Sequence, residues 1–176
     1  MATADRKSAE LESALAQAHA GRWPIAFDTS PCAYRMKRFL DGRLPILDPI
    51  EALLDHVLPR VAIARQPGPI AVHAVCSVRK QGLDGKLRQL AEAFAERVAA
   101  PAEVGCCGWA GDKGFTVPEL NAHALRNLRT ALPAGCTDGY STSRTCEIGL
   151  ADHTGVPYRS IMYLVDACLT VQGRAA

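Results

Sequence analysis

Cysteine is the residue type whose placement first offers chemistry. Seven occur in the 176 residues: Cys32, Cys76, Cys106, Cys107, Cys136, Cys146 and Cys168. Cys106 and Cys107 are adjacent, framed by Gly105 and Gly108, with Gly111 and Gly114 close behind. A disulfide between neighbours strains the peptide that joins them, whereas flanking glycines free the backbone to aim both sulfurs at one centre. Two thiolates from one turn suit a multi-iron cluster better than a single tetrahedral ion. Cys76 and Cys146 stand far from this pair, without the short C-x-x-C hooks of a zinc ribbon or a ferredoxin. Only a fold can bring them together. Zinc held by three cysteines and one histidine is the alternative metal.

The elements that must do this alternate between helix and strand. Asp5 to Ala20 reads as an amphipathic lead-in helix, with Leu11, Ala14, Leu15 and Ala18 on one face. Pro24 to Asp28 is a short strand, followed by a turn through Cys32 and a loop from Asp41 to Asp48. Asp48 and Pro49 are an N-cap and first-turn proline for a helix using Ile50, Leu53, Leu54 and Val57. Pro69 to Val75 is the next strand, and Asp84 caps a helix whose buried stripe is Leu87, Leu90, Ala91, Phe94 and Val98. Ala102 to Val104 is a brief strand ahead of the cysteine pair, and Thr116 to Glu119 is a capping box for a helix carrying Leu120, Ala124, Leu125 and Leu128. Tyr140 to Thr142 and Arg159 to Tyr163 are further strands, with helices over Glu147 to His153 and through Cys168. The expected fold is α/β, a layered arrangement with a mainly parallel sheet flanked by helices.

In such a sheet all strands end along one edge, where ligands bind. Cys32, Cys76, Cys106, Cys107 and Cys146 each follow a predicted strand, so their loops meet at that edge. Pro24-Ile-Ala-Phe before Cys32 and Pro69-Ile-Ala-Val before Cys76 share this placement. Arg35, Lys37, Arg38, Arg79, Lys80, Lys113 and Arg144 lie close by, and cations favour thiolates and raise a cluster's potential. Cys168 reads as core and Cys136 precedes its strand. His73 reads as a core histidine, and His123 as a surface one.

Composition bounds the rest. Hydrophobic residues make up 48% and charged residues 22%, which fits a folded domain and not a disordered chain. Lys and Arg number 20 against 18 Asp and Glu, so no polybasic surface invites nucleic acid. No apolar run is long enough to span a membrane, and the first 21 residues show no secretory signal. An odd cysteine count at about 4% points to free thiols in a reducing cytoplasm. The expected organisation is a helical lead-in over residues 1–22 and one globular domain over residues 23–176.

Cys76, Gly105-Cys106-Cys107-Gly108 and Ser143-Arg-Thr-Cys146 together resemble the cysteine-rich CCG domain. That domain occurs in the cysteine-rich subunit of heterodisulfide reductase, the glycolate oxidase iron–sulfur subunit and lactate-utilisation proteins. More narrowly, three stretches are similar to the carboxy-terminal part of bacterial FAD-binding and iron–sulfur-binding D-lactate dehydrogenase-type proteins. These are Phe27-Asp-Thr-Ser-Pro-Cys32, Cys106-Cys-Gly-Trp-Ala-Gly-Asp-Lys-Gly-Phe-Thr-Val-Pro-Glu-Leu-Asn121 and Tyr140-Ser-Thr-Ser-Arg-Thr-Cys-Glu-Ile-Gly149. The resemblance implies a [4Fe–4S] electron-transfer domain with Cys76, Cys106, Cys107 and Cys146 as ligands and Cys32 as a candidate fifth. It implies FAD on a separate domain or subunit that oxidises a 2-hydroxy acid such as D-lactate, glycolate or 2-hydroxyglutarate. Electrons would pass to a quinone or other acceptor, in a protein that is cytoplasmic or peripheral to the inner face of the membrane. The chain itself has no G-x-G-x-x-G after a strand, so it is not expected to oxidise the hydroxy acid alone. The family's final C-x-x-C is Ser143-x-x-Cys146 here, which leaves four thiols. A zinc-binding or metal-free docking module of the same complex is the alternative reading.

Overall fold

Ile70, Ala71 and Val72 are all but inaccessible to solvent, which is the pattern of a strand covered on both faces. They belong to a strand at Gln66–Val72 in a computed structural model that describes residues 2–170. The last six residues of the expected 23–176 domain therefore lie outside the described residues.

The amino-terminal part is small. Helix α1 (Ala2–His19) leads to strand β1 (Ile25–Ala26), helix α2 (Ser30–Leu40) and strand β2 (Ile46–Leu47). β1 and β2 pair in parallel as a two-stranded sheet of their own. Met36, Leu40 and Ile46 form a small core there, joined by Leu15, Ile25, Phe27, Phe39 and Leu44. The expected apolar face of the lead-in helix is not buried: Leu11, Ala14 and Ala18 are exposed, and Leu15 alone reaches this core.

Helix α3 (Pro49–Ala52) starts from the expected cap, with Asp48 and Glu51 forming a capping box and Pro49 in the first turn. It continues as a wide turn over Leu53–Val57 and a tight one over Leu58–Arg60. Strand β3 (Ala62–Ile63) precedes β4 (Gln66–Val72), which gives way to helices α4 (Cys76–Lys80) and α5 (Asp84–Phe94). Strand β5 (Ala95–Ala99) follows α5 directly. Helices α6 (Pro118–Leu125) and α7 (Leu128–Ala131) come next. Strand β6 (Asp138–Ser141), helix α8 (Arg144–Thr154), strand β7 (Tyr158–Ser160), helix α9 (Ile161–Cys168) and strand β8 (Leu169–Thr170) complete the order.

The main sheet runs β5-β4-β6-β7 and is parallel throughout, so the fold is α/β with a four-stranded parallel sheet packed against helices. β3 and β8 pair antiparallel beside it. Leu87, Leu90 and Ala91 bury the α5 stripe, while Leu150, Ile161 and Leu164 cover the sheet from α8 and α9. β4 has β5 on one side and β6 on the other. The order therefore reverses at β4, and the crevice beyond the ends of β4 and β6 is the sheet's switch point.

Several expected features take another form. Asp84 is the first residue of α5 and not its cap, which is Leu83. The expected strand from Arg159 to Tyr163 ends at Ser160, the N-cap of α9. The strand ahead of the cysteine pair lies at Ala95–Ala99, not at Ala102 to Val104, so Val98 belongs to β5 and not to the α5 stripe. Pairing with the open edge of β4 outweighs the weak helical continuation, because it satisfies a row of main-chain groups. The capping box at Thr116 to Glu119 is absent. Pro118 sets the start of α6 with Val117 as its cap, and the Thr116 hydroxyl donates to the Lys113 carbonyl instead.

Candidate functional site

Each cysteine loop is placed by the strand before it. β4 runs through His73, Ala74 and Val75 into Cys76, the first residue of α4. The segment after β5 carries Cys106 and Cys107, and β6 delivers Ser143 and then Cys146 in the first turn of α8. All four sulfurs line one cavity of about 410 Å³ with Pro31, Tyr34, Ser77, Lys80 and Ser143. The Cys76 and Cys106 sulfurs are 3.3 Å apart, and those of Cys107 and Cys146 are 2.8 Å apart. Both separations are far from the roughly 2.05 Å of a disulfide, and the four are free thiols.

The pairs differ in exposure. Cys107 and Cys146 are buried within the main core, whereas Cys76 and Cys106 open to solvent. The hydrogen bond shared with Cys146 lowers the Cys107 thiol to about 7, further aided by main-chain donors. Cys146 moves upward, first because of that same bond and then through burial. Partial burial of its sulfur and the neighbouring Cys106 push Cys76 up to about 11. Within this pair the thiolate form is favoured at Cys107 and disfavoured at Cys146.

The vicinal turn is fixed from behind. Gly108 has φ +71°, and a Cβ there would sit 2.4 Å from the Leu120 carbonyl oxygen. Its N–H points at the Cys106 sulfur at 3.3 Å. Buried Asn121 donates through Nδ2 to the Cys107 carbonyl, and Trp109 stacks edge-on against Phe115 at 5.1 Å. Gly149 on α8 lets Asn121 and Trp109 approach, since a Cβ would meet them at 2.4 and 2.6 Å. Arg79 ties the first two loops together by donating to the carbonyls of Ala74 (3.1 Å) and Val104 (3.0 Å).

The amino-terminal unit is latched to the same edge. Asp48, with no exposed surface, accepts from Ser30 Oγ at 3.1 Å, Ile50 N at 3.1 Å and Gln81 Nε2 at 2.9 Å. Ser30 Oγ also lies 2.8 Å from Thr142 Oγ1, and its N–H donates to the Thr142 carbonyl. These bonds seat α2 over the cavity and bring Tyr34 to its wall, where Arg38 and Lys80 lie against the ring.

Cys32 is exposed in the first turn of α2 and does not line the cavity. Cys136 is half-buried with its sulfur 3.6 Å from the Asp138 carbonyl, and Cys168 is core. His73 is buried as expected, yet its Nε2 has no partner; His123 is exposed on α6. Of the expected cationic rim, Lys80 alone reaches the cavity wall. Arg35 pairs with Asp5, and Lys37 with Glu51. Tyr34, Ser77 and Asp48 carry no sequence signal of a site, apart from the Asp48-Pro49 helix cap.

Among the described residues, no three His, Cys, Asp or Glu side chains are grouped as a single metal ion would need. The sulfurs meet pairwise. Ser77, at the cavity wall, has a buried hydroxyl without a partner, so a donor is available to a group with acceptor atoms. No described helix is long and apolar enough to cross a membrane. Compared with protein-family models, curated proteins and solved structures, the chain matches none.

Proposed function

We propose that the chain is an iron–sulfur electron-transfer domain that serves a flavin-dependent 2-hydroxyacid dehydrogenase. One observation carries the reading: four thiols from three separate loops line one cavity at the carboxyl edge of a parallel sheet. Cys76, Cys106, Cys107 and Cys146 would hold a [4Fe–4S] cluster, which supplies one-electron transfer when bound. The donor set fits in number and softness, and the free Ser77 hydroxyl and Gly108 N–H fit sulfur acceptors.

The remaining residues have definable tasks. Arg79 and Asn121 hold the loops in place from outside the cavity. Tyr34 and the buried α8 face exclude water from the Cys107–Cys146 side, while Cys76 and Cys106 keep an edge open to a partner. The flavin domain or subunit and the quinone or other acceptor belong to this reading.

Anaerobic reconstitution with iron and sulfide tests it. The expected product is brown, with about four irons per chain and an EPR signal on reduction, and Cys107→Ser removes both. Colourless protein with stoichiometric zinc and no iron would exclude the cluster.

The pairwise contacts favour one second reading, a metal-free docking module with paired thiols. Peroxide would convert Cys76–Cys106 and Cys107–Cys146 to disulfides, each pair giving two protons and two electrons to form water. Peptide mapping after mild peroxide treatment of iron-free protein checks those two pairings.

A further inference from the structure

A cavity of about 280 Å³ opens at the carboxyl edge of the sheet, between the ends of β4 and β5. It shares no residue with the thiol cavity. Val72 and His73 form its floor, Ala100 to Ala102 its lip, and α5 begins at its wall with Asp84 and Gly85.

His73 is the polar group that the fold leaves unfinished. It is 4% exposed, and its Nε2 has no hydrogen-bond partner. An unpaired buried polar atom is costly, and a bound group is one way to pair it. Burial and Arg79 keep the ring neutral, so Nε2 can carry the proton and donate it to an acceptor.

Further donors stand on the same wall. Arg79 gives Nε and Nη2 to the Ala74 and Val104 carbonyls, which leaves Nη1. Its contact with Asp84 is 3.7 Å, too long for a hydrogen bond. Arg88 gives only Nε, at 2.8 Å, to Glu92, one turn farther along α5 and outside the wall. Leu83 caps α5 without a side-chain bond, and the N–H groups of Asp84 and Gly85 have no partner. Two guanidiniums, a helix amino terminus and an unpaired imidazole thus share one small space with a single carboxylate, Asp84.

This wall suits a singly charged anion. Val72, Leu87, Ala100 and Pro101 make the rest of it apolar, so a phosphate would turn some of its oxygens toward carbon. A carboxylate places both oxygens on the donors and lays an apolar tail on those side chains. The volume lies at the lower end of small-molecule pockets, which limits the tail to a few carbons.

We propose that this cavity binds a short-chain monocarboxylate, with its carboxylate between Arg79, Arg88 and the α5 amino terminus, its tail on Val72 and Leu87, and His73 as the buried donor. The inference does not depend on the cluster.

Titration of the full 176-residue chain with butyrate, followed by amide and histidine-ring NMR, tests it. The expected result is saturable shifts at Gly85, Leu87 and the His73 ring, with butyramide and inorganic phosphate binding at least about tenfold more weakly. Arg88→Ala, at an exposed side chain, weakens butyrate about tenfold, the scale of one charge-assisted hydrogen bond. Ala102→Phe, at the exposed lip, fills the mouth and removes the shifts without touching a charge. Absence of saturable shifts, equal or tighter binding of butyramide or phosphate, or full affinity in either variant overturns the proposal. Iron content is measured on the same samples, so loss of the cluster reading registers separately.

Discussion

At Gly108 a single hydrogen in place of a methyl group sets the course of the vicinal turn. A left-handed φ costs most residues about 1–2 kcal/mol, and here a Cβ would also press on the Leu120 carbonyl and the Ala124 side chain. Neither contact can relax without moving α6. Gly108→Ala is therefore expected to lower stability by more than about 2 kcal/mol, read as a reduced urea midpoint, and to lower iron uptake on reconstitution. Asn121 works from the other side of the turn. Asn121→Ala orphans the buried Cys107 carbonyl and opens a gap beside Trp109, at a cost of about 2–3 kcal/mol. Cys32→Ser, by contrast, touches no wall of the thiol cavity, so iron stoichiometry is expected to match that of the unaltered chain. A reduced iron content in that variant would restore Cys32 as a ligand.

Among the elements, the latch between α2 and the main sheet matters most for the cavity. Asp48 serves as helix cap, as acceptor for Ser30 and as acceptor for Gln81, all without solvent. Asp48→Ala removes the cap and leaves Ser30 with only Thr142 and Gln81 with only the Ser77 carbonyl as partners, a loss of about 1–3 kcal/mol in thermal or urea unfolding. Asp48→Asn keeps an acceptor at the cap and is expected to lose less. The cap was legible in the sequence because Asp48-Pro49-Ile-Glu51 is a local signal, and the α5 stripe was legible for the same reason. What the latch joins was not, since Ser30, Gln81 and Thr142 meet only through tertiary packing. The α2 helix was also hidden: Pro31 next to Cys32 reads as a turn, yet proline is tolerated in a first helical turn. β5 was misplaced for a related reason. Ala95 to Ala99 has modest strand propensity, and the unpaired edge of β4 decides its state. The thiol loops were legible because a parallel sheet sends all its exits to one edge, whereas the pairing of Cys76 with Cys106 and Cys107 with Cys146 depends on loop paths that no periodicity records.

For the whole molecule, acid is expected to find a weak point at the centre of the sheet. His73 continues β4 and hydrogen-bonds through its N–H to the Tyr140 carbonyl, so its ring cannot leave without breaking strand pairing. Burial, and secondarily Arg79, lowers its pKa to about 4 from an ordinary 6.5. Arg79, Asp84 and Arg88 line the small cavity that it shares. The folded chain thus refuses a proton that the unfolded chain accepts below pH 6.5. Above that pH His73 is neutral in both states and contributes no pH dependence. As pH falls, the unfolded state gains, by about 2 kcal/mol at pH 5, and the penalty levels off below the folded pKa near 4. Urea midpoints are therefore expected to drop between pH 7 and pH 5. His73→Phe removes the titrating group and the orphaned Nε2 together, so it is expected to match or exceed the parent at pH 7 and to lose much of that drop. An undiminished drop in His73→Phe would place the acid sensitivity elsewhere, with the carboxylates that pair across the surface as the next groups to remove.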